Sequence, residues 1–241
     1  MCRLDSVISK PGQGMRSLNE AALRSRKHAA LLALLLASLA IQSFDARPGA
    51  EGLLSDAFRT VLGIAIFLVV FERPRERVGM ATFLILILAI GWGRRLSATS
   101  LDLALHTLMS LYLWVAVWVI LRDLFGKPAV GVESVLGAIC GYIIAGDAWA
   151  HIHAITYLLM PAAYNINQEV SALLADWHGR LAVFSYYSIS AMLTLGYGDV
   201  TPVRAPATIL SLFTTLFGVF YSAVVVSQFV GMAQSRRNEA P

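Results

Sequence analysis

Charge is what this sequence has least of. Only 14% of its 241 residues are Asp, Glu, Lys or Arg, where soluble domains carry about 25%. The deficit is uneven, because the charges gather between long apolar runs. That pattern excludes an ordinary soluble domain and points to several membrane spans, with the lipid bilayer as solvent. Cysteine is nearly absent: Cys2 lies in the N-terminal tail and Cys140 in an apolar run. The pair argues against a disulfide framework and against a cysteine metal site. There is no internal repeat, no His-Glu-x-x-His run and no nucleophile with a placed base, so neither an enzyme nor a bound cofactor is expected. The net charge of +4 comes from basic residues that flank apolar segments and form no stripe, so no nucleic-acid partner is expected.

What is present is a series of apolar stretches, at 29–44, 54–71, 78–92, 102–121, 134–160 and 206–232. A helix needs about 20 apolar residues to cross the hydrocarbon, and shorter ones are accommodated by snorkelling. A further stretch, 181–193, is too short to cross. It carries Phe184, Tyr186, Tyr187 and Ile189 and runs into a glycine-rich turn, the form of a re-entrant helix. Residues 16–45 read either as a retained first helix or as a signal peptide, since a basic segment precedes Ala29–Ala40. No small-x-small cleavage site follows, which favours the retained helix. The first 20 or so residues read as disordered.

Lys and Arg counts orient the spans. With the N-terminus cytoplasmic, the tail through Lys27, the Arg73–Arg77 segment, Arg122, Lys127, Arg236 and Arg237 place 13 of the 19 basic residues inside. The remaining six are Arg47, Arg59, Arg94, Arg95, Arg180 and Arg204. Both termini are then cytoplasmic, and the segment 161–205 is external.

Residues Thr194-Leu195-Gly196-Tyr197-Gly198-Asp199 carry the most specific pattern in the chain. They resemble the potassium-channel filter T-V-G-Y-G-D at five of six positions, with Leu195 in place of valine. The resemblance implies that backbone carbonyls of Thr194, Leu195, Gly196, Tyr197 and Gly198 replace the hydration shell of K+. Gly196 and Gly198 are expected at positive φ, which glycine reaches without a Cβ penalty. The Thr194 hydroxyl adds an oxygen at the inner end, and Asp199 caps the outer mouth. Five extended residues span at most about 17 Å, room for several ions in file.

In this family two aromatics stand eight and seven residues before the filter threonine and brace the filter. Tyr186 and Tyr187 occupy those positions. Where some members place a glutamate tethered to the aspartate, this chain has Ser190, which implies a weaker tether. A closed ring of carbonyls needs four loops, and this chain has one, so a homotetramer with cyclic symmetry is implied.

Three features around the pore carry open readings. Thr214, Gly218 and Ser222 form a small, polar stripe, either lining the cavity with Gly218 as a gating hinge or forming a close-packed seam. Asp147 sits inside the fifth stretch with His151 one turn on. The pair is either a proton-sensitive gating element or a satisfied polar contact. The fourth stretch carries Asp102 and His106 but no Lys or Arg, so steep voltage dependence is not expected.

The sequence thus reads as an all-α membrane protein of about six transmembrane helices plus a re-entrant pore helix and filter loop. It divides into a basic tail at 1–27, a four-helix region at 28–122 without a charged voltage sensor, a pore domain at 132–233 and a short cytoplasmic tail at 234–241. That last tail is too short to hold a ligand-binding domain. The resemblance implies passive K+ conduction across a bacterial-type inner membrane, with no cofactor beyond the permeant ion. Alternatives are a non-selective cation channel and a non-conducting accessory subunit. Potassium uptake systems are disfavoured, because they hold four such loops in one chain. An intramembrane enzyme built on Asp147, His151 and His153 is disfavoured because histidines at i,i+2 face different sides of a helix.

Overall fold

The computed structural model describes residues 27–45, 53–93, 99–126 and 132–239. The basic N-terminal tail, apart from Lys27, lies outside them. Seven helices longer than one turn run α1 Lys27–Asp45, α2 Leu53–Val70, α3 Pro74–Gly93, α4 Thr99–Phe125, α5 Val132–Leu159, α6 Trp177–Met192 and α7 Ala205–Glu239. Four of them (α2, α4, α5 and α7) contain stretches long and apolar enough to cross a membrane. The apolar part of α1, Lys27–Gln42, is shorter. α3 spends its first turn on Pro74, Arg75, Glu76 and Arg77, Pro being pre-set for a helix start.

The described residues are predominantly helical, with one small antiparallel pair, β1 Tyr164–Ile166 with β2 Val200–Pro202, in the register Ile166 opposite Val200. The last helix, α7, continues through Glu239 without a break. No proline or glycine after Gly231 stops it before then.

α5 is the hub. It packs against α4, α6, α1 and α7, and it can do so because its buried positions are small. Gly137, Ala138, Cys140, Gly141, Ala145, Gly146, Ala148, Ala150 and Ala154 are all buried, so neighbouring backbones approach closely. α1 buries Leu31, Leu35, Ser38 and Gln42, a helical stripe set against α2, α5 and α6.

The bundle has two polar ends. At one, Lys27 pairs with Glu72, His28 Nδ1 lies 2.7 Å from Glu133 Oε2, and Arg122 donates to Glu76 at 2.5 Å. The Arg122 hydrogen bond holds the Glu76 carboxyl below the usual carboxylate range. At the other end lie Asp56, Asp102, His178 and Arg180. Each end collects helix termini that alternate in direction along the chain, as an up-and-down bundle requires.

Candidate functional site

The 45 residues between α5 and α7 build the site. α6 begins where Asp176 caps it, its Oδ1 accepting from the Gly179 N–H at 2.7 Å. This start is four residues earlier than the apolar run suggested; an Asp just before the helix is the sequence signal for it. At its far end, the carbonyls of the last turn accept from the segment that follows: Leu193 N–H to Ile189 O at 2.9 Å, Thr194 N–H to Ala191 O at 3.0 Å and Leu195 N–H to Ser190 O at 2.9 Å. The helix termination thereby fixes the start of the Thr194–Gly198 segment.

The backbone of that segment has an unusual form. Positive φ recurs at every second residue: Thr194 at 58°, Gly196 at 60° and Gly198 at 83°. Leu195 and Tyr197 between them keep negative φ. This alternation of φ sign departs from the uniformly negative φ of a strand. Gly196 and Gly198 match their expected conformation. Thr194 was not anticipated: it is the one non-glycine residue at positive φ among the described residues, and a β-branched residue there is strained by about 1–3 kcal/mol. Its hydroxyl donates to Leu193 O at 2.7 Å.

The two tyrosines have separate tasks. Tyr186 stacks on Tyr197, centroids 5.9 Å apart and planes 13° off parallel, and it also interacts with the Asp199 carboxylate. Tyr187 instead ties α6 to α7. Ser211 donates to Ala207 O at 2.7 Å, so its oxygen accepts the Tyr187 hydroxyl at 2.6 Å. Ser190 contributes its backbone carbonyl to the Leu195 N–H. Asp199 is held from the loop between α5 and α6, its carbonyl accepting from the Asn167 N–H at 2.9 Å, one residue from the Ile166–Val200 register pair.

Asp147 and His151 share a face of α5 but have different partners. Asp147 Oδ1 accepts from the Ser185 hydroxyl at 3.0 Å, whereas His151 Nδ1 meets His106 Nδ1 of α4 at 2.8 Å. The His106 ring stacks on Trp177 at 3.9 Å. His153, two residues on, turns toward α7. Thr214 spends its proton on Leu210 O, so it accepts from His153 Nε2–H at 3.0 Å. His153 Nδ1 then accepts from the Tyr164 hydroxyl at 2.7 Å. Burial pushes the Tyr164 phenol upward, which keeps it a donor.

The stripe on α7 is divided as well. Thr214 is fully buried in this network, Gly218 is pressed against Met192, and Ser222 is exposed.

The polar end at the start of α6 was not assembled by sequence reasoning. Arg180 of α6 donates to Asp102 of α4 at 2.5 Å and to the Leu174 and Ala175 carbonyls. His178 Nε2 lies 3.0 Å from Asp56 of α2. Two carboxylates from different helices thus hold the start of α6. Breaking a buried ion pair by removing one member costs about 3–5 kcal/mol. Asp102→Asn, which leaves the charge of an Arg180 side chain only 8% exposed without its carboxylate, is expected to lose stability toward that scale. The double variant Asp102→Asn/Arg180→Gln is expected to lose less than the sum of the two single ones. Thermal unfolding of the purified protein in detergent measures the coupling, and strict additivity would show that the pair does not act as a unit.

A family model described as ion channel matches residues 154–235, which is 82 of the 241 residues. The match runs from the end of α5 through the connecting loop, α6 and the Thr194–Asp199 segment into α7. No curated protein and no solved structure matches the chain.

Proposed function

We propose that the protein is one subunit of a homotetrameric, potassium-selective channel that conducts K+ passively through the Thr194–Gly198 segment. The observation that carries this reading is the alternation of positive φ at Thr194, Gly196 and Gly198 in a segment reading T-L-G-Y-G. The ion channel family match across the same region supports it.

Exposure supports the tetramer. In the single chain residues 193–198 are exposed, and so are Leu212, Phe213, Leu216, Phe220 and Val224 along α7. Bare backbone carbonyls within a bilayer cost several kcal/mol each unless protein, water or an ion satisfies them. Four copies around one axis satisfy them with K+. In this reading α1–α4 surround the pore formed by α5, α6, the filter and α7. The chain makes six spans with both termini inside a bacterial-type inner membrane. Tyr197 and Asp199 favour potassium selectivity over a non-selective pore.

The test is flux into liposomes containing the purified protein. Potassium flux is expected to exceed sodium flux by at least about a hundredfold, the ratio that a difference of about 2.8 kcal/mol in ion stabilisation would give. Equal flux of the two ions would leave a cation channel without selectivity. No flux from a verified tetramer would favour the accessory-subunit reading.

A further inference from the structure

The candidate filter is fastened at both ends. Its start is held by the last-turn carbonyls of α6. The chain that leaves it, residues 199–204, runs beside residues 163–167. Asn167 N–H donates to Asp199 O at 2.9 Å, and the Val203 and Arg204 N–H groups both donate to Ala163 O, at 2.8 and 3.3 Å. Between these bonds β1 pairs with β2. Whatever fixes β1 therefore fixes the far end of the segment. Of the three β1 residues only Tyr164 is buried. Its hydroxyl donates to His153 Nδ1 at 2.7 Å, and His153 Nε2–H donates to Thr214 Oγ1 of α7 at 3.0 Å. The relay ends on a backbone carbonyl, Leu210 O, at 2.9 Å. The His153 ring is fully buried, its centroid 5.0 Å from that of Tyr187 and 6.3 Å from that of Phe184. With both nitrogens bonded, a buried imidazole is held in one orientation and one tautomer.

We propose that His153 is a positioning residue for the far end of the candidate filter: it ties β1, and through β1 residues 199–204, to α7. Thr214 spends its own proton on Leu210 O, so toward His153 it can only accept. That keeps the ring proton on Nε2 and leaves Nδ1 bare to receive the Tyr164 hydroxyl. Thr214 thus acts on Tyr164 through His153, although 50 residues of chain separate them. Thr156 of α5 also meets the Tyr164 hydroxyl, so α5 keeps part of its hold on β1 when His153 is changed. Thr214 is therefore the cleaner site to vary. This inference rests on the channel reading only for its consequence in conduction. The fastening itself is a property of the folded chain.

The test is hydrogen–deuterium exchange of the full-length protein, read by mass spectrometry on peptides covering residues 163–168 and 199–205. These contain the donating amides of Asn167, Val203 and Arg204. Thr214→Val keeps the shape of the side chain and removes the acceptor, whereas Thr214→Ser keeps the hydroxyl. Exchange is expected to rise about tenfold in Thr214→Val, the change in local opening that loss of one buried hydrogen bond brings. It should stay near wild type in Thr214→Ser. His153→Phe keeps an aromatic ring beside Phe184 and Tyr187, removes both bonds and should raise exchange at least as much. Because Thr214 acts through His153, adding Thr214→Val to His153→Phe should raise it no further. Peptides from α2 and α4 serve as the folding control and should not change. Wild-type exchange in Thr214→Val, or additive effects in the double variant, overturns the proposal. Should His153→Phe lose protection throughout, the Thr214 variants decide: faster exchange confined to the strand peptides in Thr214→Val alone supports the proposal, and equal exchange in the two variants overturns it. In liposomes Thr214→Val should also lower the potassium-to-sodium flux ratio, and Thr214→Ser should not. An unchanged ratio beside faster exchange would limit His153 to holding the loop and overturn its part in the filter. Absence of flux in the wild type would count against the channel reading, while the exchange result still decides the fastening.

Discussion

Gly196→Ala is expected to abolish potassium flux while leaving the fold of the subunit intact. Gly196 sits at φ 60°, and a Cβ added there would meet nothing within 4 Å in its own chain. The cost is therefore conformational and not a clash. A left-handed conformation costs an L-residue about 1–2 kcal/mol, and in a symmetric tetramer four subunits bear it together, about 4–8 kcal/mol for the ring. Relaxing that strain means leaving positive φ, which would break the alternation at its central position and rotate a carbonyl away from its neighbours. The measurement is potassium flux into liposomes at matched protein content. Gly231→Ala is the control, because a Cβ there meets nothing within 4 Å and its φ is not in the left-handed region. Wild-type flux through Gly196→Ala would separate conduction from this backbone and remove the main support for the proposed function.

Gly218→Ala is expected to have the second largest effect, by a different mechanism. A Cβ on Gly218 would stand 2.4 Å from Met192 O and 2.6 Å from Met192 Cα. These are backbone atoms at the end of α6, so no rotamer change relieves the overlap. Overpacking of this kind costs about 1–3 kcal/mol or more. Relief must come from moving α7 or the last turn of α6, whose carbonyls at Ser190 and Ala191 hold the Leu195 and Thr194 amides. Both flux and thermal stability in detergent should therefore fall. Ser222→Ala, one turn further along α7 and exposed, removes a hydroxyl that donates to Gly218 O at 3.0 Å and also meets Tyr142, and its effect should be much smaller than that of Gly218→Ala. The close contact favours a packing seam at Gly218. A hinge would instead give Gly218→Ala an unchanged melting temperature with altered gating, so measuring both quantities on the same preparation distinguishes the two.

Much of the site was legible because it is local. The apolar runs, the glycine pair and the two tyrosines are consecutive in sequence, and the conformations of Gly196 and Gly198 follow from the absence of a Cβ. Local reasoning failed where a residue's task depends on a distant partner. Tyr186 and Tyr187 are adjacent and chemically alike, yet a helix turns them about 100° apart, one to Tyr197 and the other to Ser211. Likewise, that His151 and His153 would face different sides was readable, but that they meet His106 and Thr214 was not.

The sequence by itself determined that the chain alternates long apolar helices with short charged connections, that one short helix leads into a glycine-containing turn, and which residues that turn holds. Burial and backbone stereochemistry act on each residue whatever its neighbours, so composition and spacing suffice for those conclusions. Tertiary structure alone decided that Thr194 shares the left-handed conformation, that Asn167 in the loop before α6 holds Asp199, that Asp56 and Asp102 anchor the start of α6, and that Gln42 of the first helix borders one groove with Leu195 and Tyr197. Each of these joins residues far apart in sequence, or strains one residue to satisfy several others. The energy that settles them belongs to the packed arrangement and to no single segment.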